Sequence, residues 1–137
     1  MVAGINPAQK FAQSVGLVRD YLAKTGNTNL LGAMNNQQLR VFSENMSENV
    51  LGANIGNKIS LNSKVLATQS PEKVASIFLH ELTHFAKQSG RNSIAEEVQC
   101  RSIEENFLDT FGKGMYGNDE QLQATVRRQY AGLPEQA

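Results

Sequence analysis

The chain holds two histidines, and both stand in one short run, His80-Glu81-Leu82-Thr83-His84. No other feature constrains the fold as tightly. Residues four apart stack on one face of an α-helix, so both imidazoles can reach a single ion at roughly 2.0–2.1 Å. Glu81, one step round the helix, reaches a water on that ion and serves as a general base without being a ligand. The flanking residues support a helix here. Ser70-Pro71 gives a cap followed by proline, Glu72 sits in the positive first turn, and Gly90 stops the run after about Gln88. At about 100° per residue, Val74, Phe78, Leu82 and Phe85 share one side, and His80 and His84 point largely away from it. One face therefore packs and the other lines a cleft.

A two-histidine site is incomplete, because catalytic zinc takes three protein ligands and a water. No third histidine exists, so Cys100 or a carboxylate must complete the set. Glu96-Glu97 opens the next helix, and Gly90 lets the chain reverse so that this helix returns beside the first. Ser93 and Glu96 form a Ser-x-x-Glu capping box, which accounts for Glu96 and leaves Glu97 free. Glu97 is favoured as the third ligand, with Glu96 as the alternative; Glu104 and Glu105 lie two turns further along. Cys100, three residues after Glu97, reads as a small buried residue packing on the neighbouring helix.

The rest of the chain fits a single α+β domain over residues 1–137, with no repeat and no dividing linker. Asn6-Pro7 opens an N-terminal helix that carries Phe11, Val15, Val18 and Leu22 and ends at Gly26. Between 27 and 69, Gly and Asn punctuate the runs Leu39–Phe42, Asn49–Leu51 and Lys58–Asn62, which predict a small sheet of about three strands. The last alternates, Ile59 and Leu61 on one side, Lys58, Ser60 and Asn62 on the other, as a strand with one buried face does. A helix from Ser93 to Gly112, a glycine-rich loop Gly112–Gly117 and a final helix from about Asp119 to Ala131 complete the order. That last helix is a candidate cover for the cleft.

Thirteen basic and thirteen acidic residues cancel. This argues against a nucleic-acid binder that works by neutralising phosphates, and against a basic membrane-binding face. No stretch nears the roughly 20 apolar residues of a membrane span. One cysteine excludes an internal disulfide. The start, Met-Val-Ala-Gly-Ile-Asn-Pro, lacks the basic and apolar regions of a cleavable signal. The expectation is a cytoplasmic protein, an effector exported without a classical signal, or one domain of a longer chain.

His80-Glu81-Leu82-Thr83-His84, followed by Glu97-Val-Gln-Cys100 on the next helix, resembles the gluzincin clan of zinc metallopeptidases. The short link between the two motifs is similar to minigluzincins and to compact metallopeptidase-like toxin domains. The likeness spans about residues 55 to 108 and implies a zincin-like fold: a twisted sheet, an active-site helix beneath it and a glutamate helix, here with added N- and C-terminal helices. It implies Zn2+ held by His80, His84 and Glu97, Glu81 as general base, and a peptide or protein substrate paired along Ile59–Leu61 as the edge strand. A cognate inhibitor or immunity partner is implied by the toxin domains. The clan stabilises the oxyanion with a downstream Tyr or His; Tyr116 is the first candidate here and Tyr130 the next. Where the clan often has a small or acidic residue, four after the glutamate ligand, this chain has Arg101. Asp109, Glu105 or a backbone carbonyl is then left to orient the histidines. Two other readings stand beside a zinc endopeptidase. One is a metal-binding regulator or effector of the same fold without peptidase activity, which Arg101 and the missing distal histidine favour. The other is a metal-free helical interaction protein.

Overall fold

The computed structural model describes residues 6–136. In chain order the elements are α1 (Pro7–Lys24), α2 (Thr28–Met34), β1 (Arg40–Glu44), β2 (Gly52–Ile55), β3 (Lys58–Asn62), α3 (Ser63–Thr68), α4 (Pro71–Lys87), α5 (Ile94–Asp109) and α6 (Asp119–Gln129). The class is α+β. Each of these helices begins on an Asn or Ser whose side chain accepts a first-turn N–H: Asn6, Asn27, Asn62, Ser70, Ser93 and Asn118. These caps satisfy donors that a helix cannot satisfy itself.

The sheet runs β1-β3-β2, with β1 parallel and β2 antiparallel to β3. β2 and β3 meet through Gly56-Asn57, where Gly56 takes φ +58, so the hairpin register follows from the tight turn. This order corrects the expected edge strand. Ile59–Leu61 belongs to the central strand, hydrogen-bonded on both sides, and β1 and β2 are the edge strands, β2 being the one that borders the cleft. Being central also removes the expected wet face: Ser60 and Asn62 are buried along with Ile59 and Leu61. The Asn62 amide donates to the carbonyls of Val50 at 2.7 Å and Ser47 at 3.1 Å. It pins Asn49–Leu51 as the loop before β2, where the sequence predicts a strand.

α4 is the hub. The sheet covers one side, and α1, α2 and α5 close round the others. Ala75, Ile77 and Leu79 are buried as fully as Val74, Phe78, Leu82 and Phe85, so the helix is apolar around most of its girth. The unforeseen α2 adds Leu30 to this core. Phe107 of α5 meets Tyr21 edge to face with centroids 5.2 Å apart. A satellite cluster of Ile94, Leu122 and Val126 fastens α6 to α5. The chain beyond α6 then returns to α5, where the Pro134 and Glu135 carbonyls accept from the N–H groups of Ile94 and Ala95. α6 is therefore a buttress of α5, and its end, at Gln129 and Tyr130, borders the cleft.

Phe107→Ala removes a fully buried ring at the joint of α1 and α5. It is expected to cost roughly 3–5 kcal/mol, a large part of the 5–15 typical of a domain, read as a lower urea midpoint.

Candidate metal centre

Gln88, at φ 49, and Gly90, at φ 70, put two left-handed residues after α4 and turn the chain back on itself. α5 then runs antiparallel along the histidine face of α4. Glu97 Oε1 stands between the two imidazoles, 3.1 Å from Nε2 of His80 and 3.1 Å from Nε2 of His84. The amide of Asn92 donates to the other oxygen, Oε2, at 3.0 Å, so Glu97 turns a single oxygen to the rings.

The far nitrogens are held as well. His80 Nδ1 lies 2.9 Å from Glu104 Oε1, and His84 Nδ1 lies 2.6 Å from Glu96 Oε2. A carboxylate on Nδ1 fixes the tautomer with the proton there and aims the Nε2 lone pair the other way. Neither orienting residue is Asp109 or Glu105. Glu104 stands seven residues after Glu97, two helical turns, and so shares its face of α5. That spacing is the signal that names it, and distance along the helix is no obstacle because its task is at His80. The capping box is only half made. Ser93 Oγ accepts from Glu96 N at 3.1 Å, but the Glu96 carboxylate leaves the cap for His84 and for the Ser89 hydroxyl.

All five of these groups are buried or nearly so, and Glu97 is only 3 % exposed. Burial disfavours a charged imidazole. At His80 the carboxylates of Glu104 and Glu97, with Glu81 beyond, outweigh it and raise the pKa to about 10. The same contest, with Glu97 and Glu96 as partners, raises that of His84. Burial works against the Glu97 carboxylate too, but the two histidines and Asn92 prevail and hold it well below its ordinary range. Glu81 is the exception. Burial raises its pKa, the histidines oppose this, and Glu97 and Glu104 add to it, which suits a group that takes up a proton.

The donor set fits a transition-metal ion. Each ring nitrogen faces a carboxylate, so a neutral imidazole leaves its Nε2 lone pair against the Glu97 oxygen. Two extra protons or one divalent cation resolve that clash with the same charge. A tetrahedral ion with ligands at about 2.0–2.1 Å sets neighbouring ligands about 3.3 Å apart, and Glu97 Oε1 lies 3.1 Å from each Nε2. Donor atoms of His80, His84 and Cys100 also lie within 4.8 Å of one another. Glu97 touches both Nε2 atoms, and the histidines that hold its pKa down keep it ionised, which favours it as the third donor. The Cys100 thiol is fully buried, and burial, with the carboxylates around it, pushes its pKa up.

The site opens on two cavities that meet at Gly52, His80, Glu81 and Tyr130. One, of about 750 Å³, continues past His84 and Glu97 along β2. The other, of about 530 Å³, is walled by Lys73, Arg101, Met115 and Tyr116. Tyr116 and Tyr130 thus both face the chamber that holds Glu81. Gly52 is where β2 presses on α4: a Cβ there would stand 3.0 Å from the Ser60 carbonyl, 3.1 Å from Ile77 and 3.3 Å from the Glu81 side chain. Glu105 does not reach the histidines. Its buried carboxylate accepts from the N–H groups of Met115 and Tyr116 and anchors the glycine-rich loop.

Comparisons with models of known protein families, with curated proteins and with solved structures find no match to this chain.

The histidine shifts set a pH dependence in chelator-treated protein. A pKa raised from 6.5 to about 10 contributes stability that is whole below pH 6.5 and is lost as the pH rises through the folded value. His84 acts in the same sense. Urea unfolding in EDTA is expected to show stability falling between pH 6.5 and 10; a flat or rising profile would contradict the paired imidazoles.

Proposed function

We propose that this chain is a zinc-dependent peptidase of the gluzincin type, acting on peptide or protein substrates. The observation that carries the reading is the convergence of His80 Nε2, His84 Nε2 and Glu97 Oε1, with Glu104 and Glu96 behind the rings. His80, His84 and Glu97 would hold the ion. When bound, zinc supplies a Lewis acid for the scissile carbonyl and a water of lowered pKa. Imidazole nitrogen with one carboxylate suits zinc well among the common divalent ions.

The protein's own groups do the rest. Glu81, beside the ligands but engaged with none of them, accepts the proton of the attacking water and returns it to the leaving amine. Its raised pKa brings proton uptake nearer neutral pH. An extended peptide finds free backbone N–H and C=O groups on β2, the edge strand that lines the larger cavity. Tyr116, in the adjoining cavity, is the donor to the oxyanion that forms on the substrate carbonyl. A binding protein of the same design would need the ligands and their orienting carboxylates but not Glu81, whose burial without a ligand's role favours catalysis.

Glu81→Gln keeps the shape and removes the base. It is expected to retain one equivalent of zinc and to lose cleavage of unfolded casein by roughly 10²-fold or more. Equal cleavage by variant and parent, or purified protein without bound zinc, would overturn the proposal. Glu104→Gln and Glu96→Gln are each expected to weaken zinc binding by roughly 10–100-fold in a chelator competition, with the fold unchanged by circular dichroism.

A further inference from the structure

Arg101 stands where the resemblance leads one to expect a small or acidic side chain, and nothing in the scheme above uses it. It lies on α5 one turn beyond Glu97, and its side chain is only 13 % exposed. Its Nη1 donates to the Tyr116 hydroxyl at 2.7 Å, its Nη2 donates to Gln129 Oε1 at 3.1 Å, and its Nε lies 3.7 Å from Glu104 Oε1.

We propose that Arg101 is a positioning residue that fixes the Tyr116 phenol with its proton directed into the cleft, ready to donate to the oxyanion; this rests on the peptidase reading. The direction follows from donor chemistry. A guanidinium has N–H groups and no acceptor, so in its bond to Tyr116 the phenol oxygen must accept. The phenol's own O–H is then free to donate. Among the described residues it makes no hydrogen bond to a protein acceptor, and it borders the chamber shared with His80 and Glu81. Accepting from a cation also polarises the phenol and strengthens it as a donor. The backbone end of Tyr116 is held as firmly, since Glu105 Oε2 accepts from its N–H at 2.6 Å. A donor clamped at both ends needs little reorganisation when charge develops on the substrate, which is the condition under which such a donor is most effective. A carboxylate at position 101 would instead accept the phenol proton and withdraw it from the cleft.

The test is a double-mutant cycle on the zinc-loaded full chain with casein as substrate. Tyr116→Phe is expected to lower kcat by roughly 10²–10³-fold with KM little changed. Arg101→Met is expected to lower kcat by at least about tenfold in the parent and to have no further effect in the Tyr116→Phe background. Arg101→Lys, which keeps a cationic donor, restores part of the loss. Gln129→Ala cuts the tie of Arg101 to α6 and leaves kcat within about twofold, which separates bracing of the helix from control of the phenol. Losses that multiply in the double variant would overturn the proposal. So would a drop in zinc affinity with Arg101→Met, which would place its action at Glu104 and His80. Both results leave the peptidase reading standing, whereas a zinc-loaded parent that cleaves nothing removes that reading and this role with it.

Discussion

Two imidazoles enclosed by three carboxylates at the seam of α4 and α5 set the terms for the rest of the molecule. Each ring is contacted at both nitrogens, and Glu97 is shared between them. Buried charges are tolerated only when matched, and here two protonated imidazoles, with Arg101 beside Glu104, face the three carboxylates. On the proposed metal reading, a divalent ion would replace two protons without a change in net charge, and its uptake would release protons. The left-handed turn at Gln88 and Gly90, the antiparallel return of α5 and the seven-residue interval between Glu97 and Glu104 all serve that arrangement.

Rigid elements carry every member of the centre. His80, Glu81 and His84 lie on the most enclosed helix of the fold, and the carboxylates lie on the helix packed against it. Tyr116, the proposed oxyanion donor, rests on a loop but is tied back to α5 by Glu105 at its backbone and by Arg101 at its hydroxyl. α5 thus supplies both the groups beneath the rings and the groups that steady the opposite wall. Its first-turn N–H groups are in turn satisfied by carbonyls of the chain's last residues, and α6 braces it through Ile94, Leu122 and Val126.

Much of this is legible in the sequence because it depends on local periodicity. The spacing of His80 and His84 and the caps at Asn6, Ser70 and Ser93 are one-dimensional signals, and the helices lie within a few residues of where those signals put them. The small helices α2 and α3 are less so, since their stability comes from burying Leu30, Val65 and Leu66 in a core assembled from distant segments. Alternation in Lys58–Asn62 reports a strand but not its neighbours, so its central position, and the edge position of β2, emerge only with the parallel pairing to β1. The half-made capping box at Ser93 shows the same limit at one side chain. Glu96 has a good local partner and abandons it for His84, which tertiary packing brings within 2.6 Å.

On the proposed peptidase reading, the tight seat of Gly52 would tie substrate geometry to helix geometry. At that residue strand and helix share a van der Waals surface, with the hydrogen of a glycine as the only spacer between the sheet's free margin and the Glu81 side chain. A guest chain laid along that margin would inherit its height above the helix, and a bond presented for attack would stand at a distance set by backbone contact and not by the guest's own side chains.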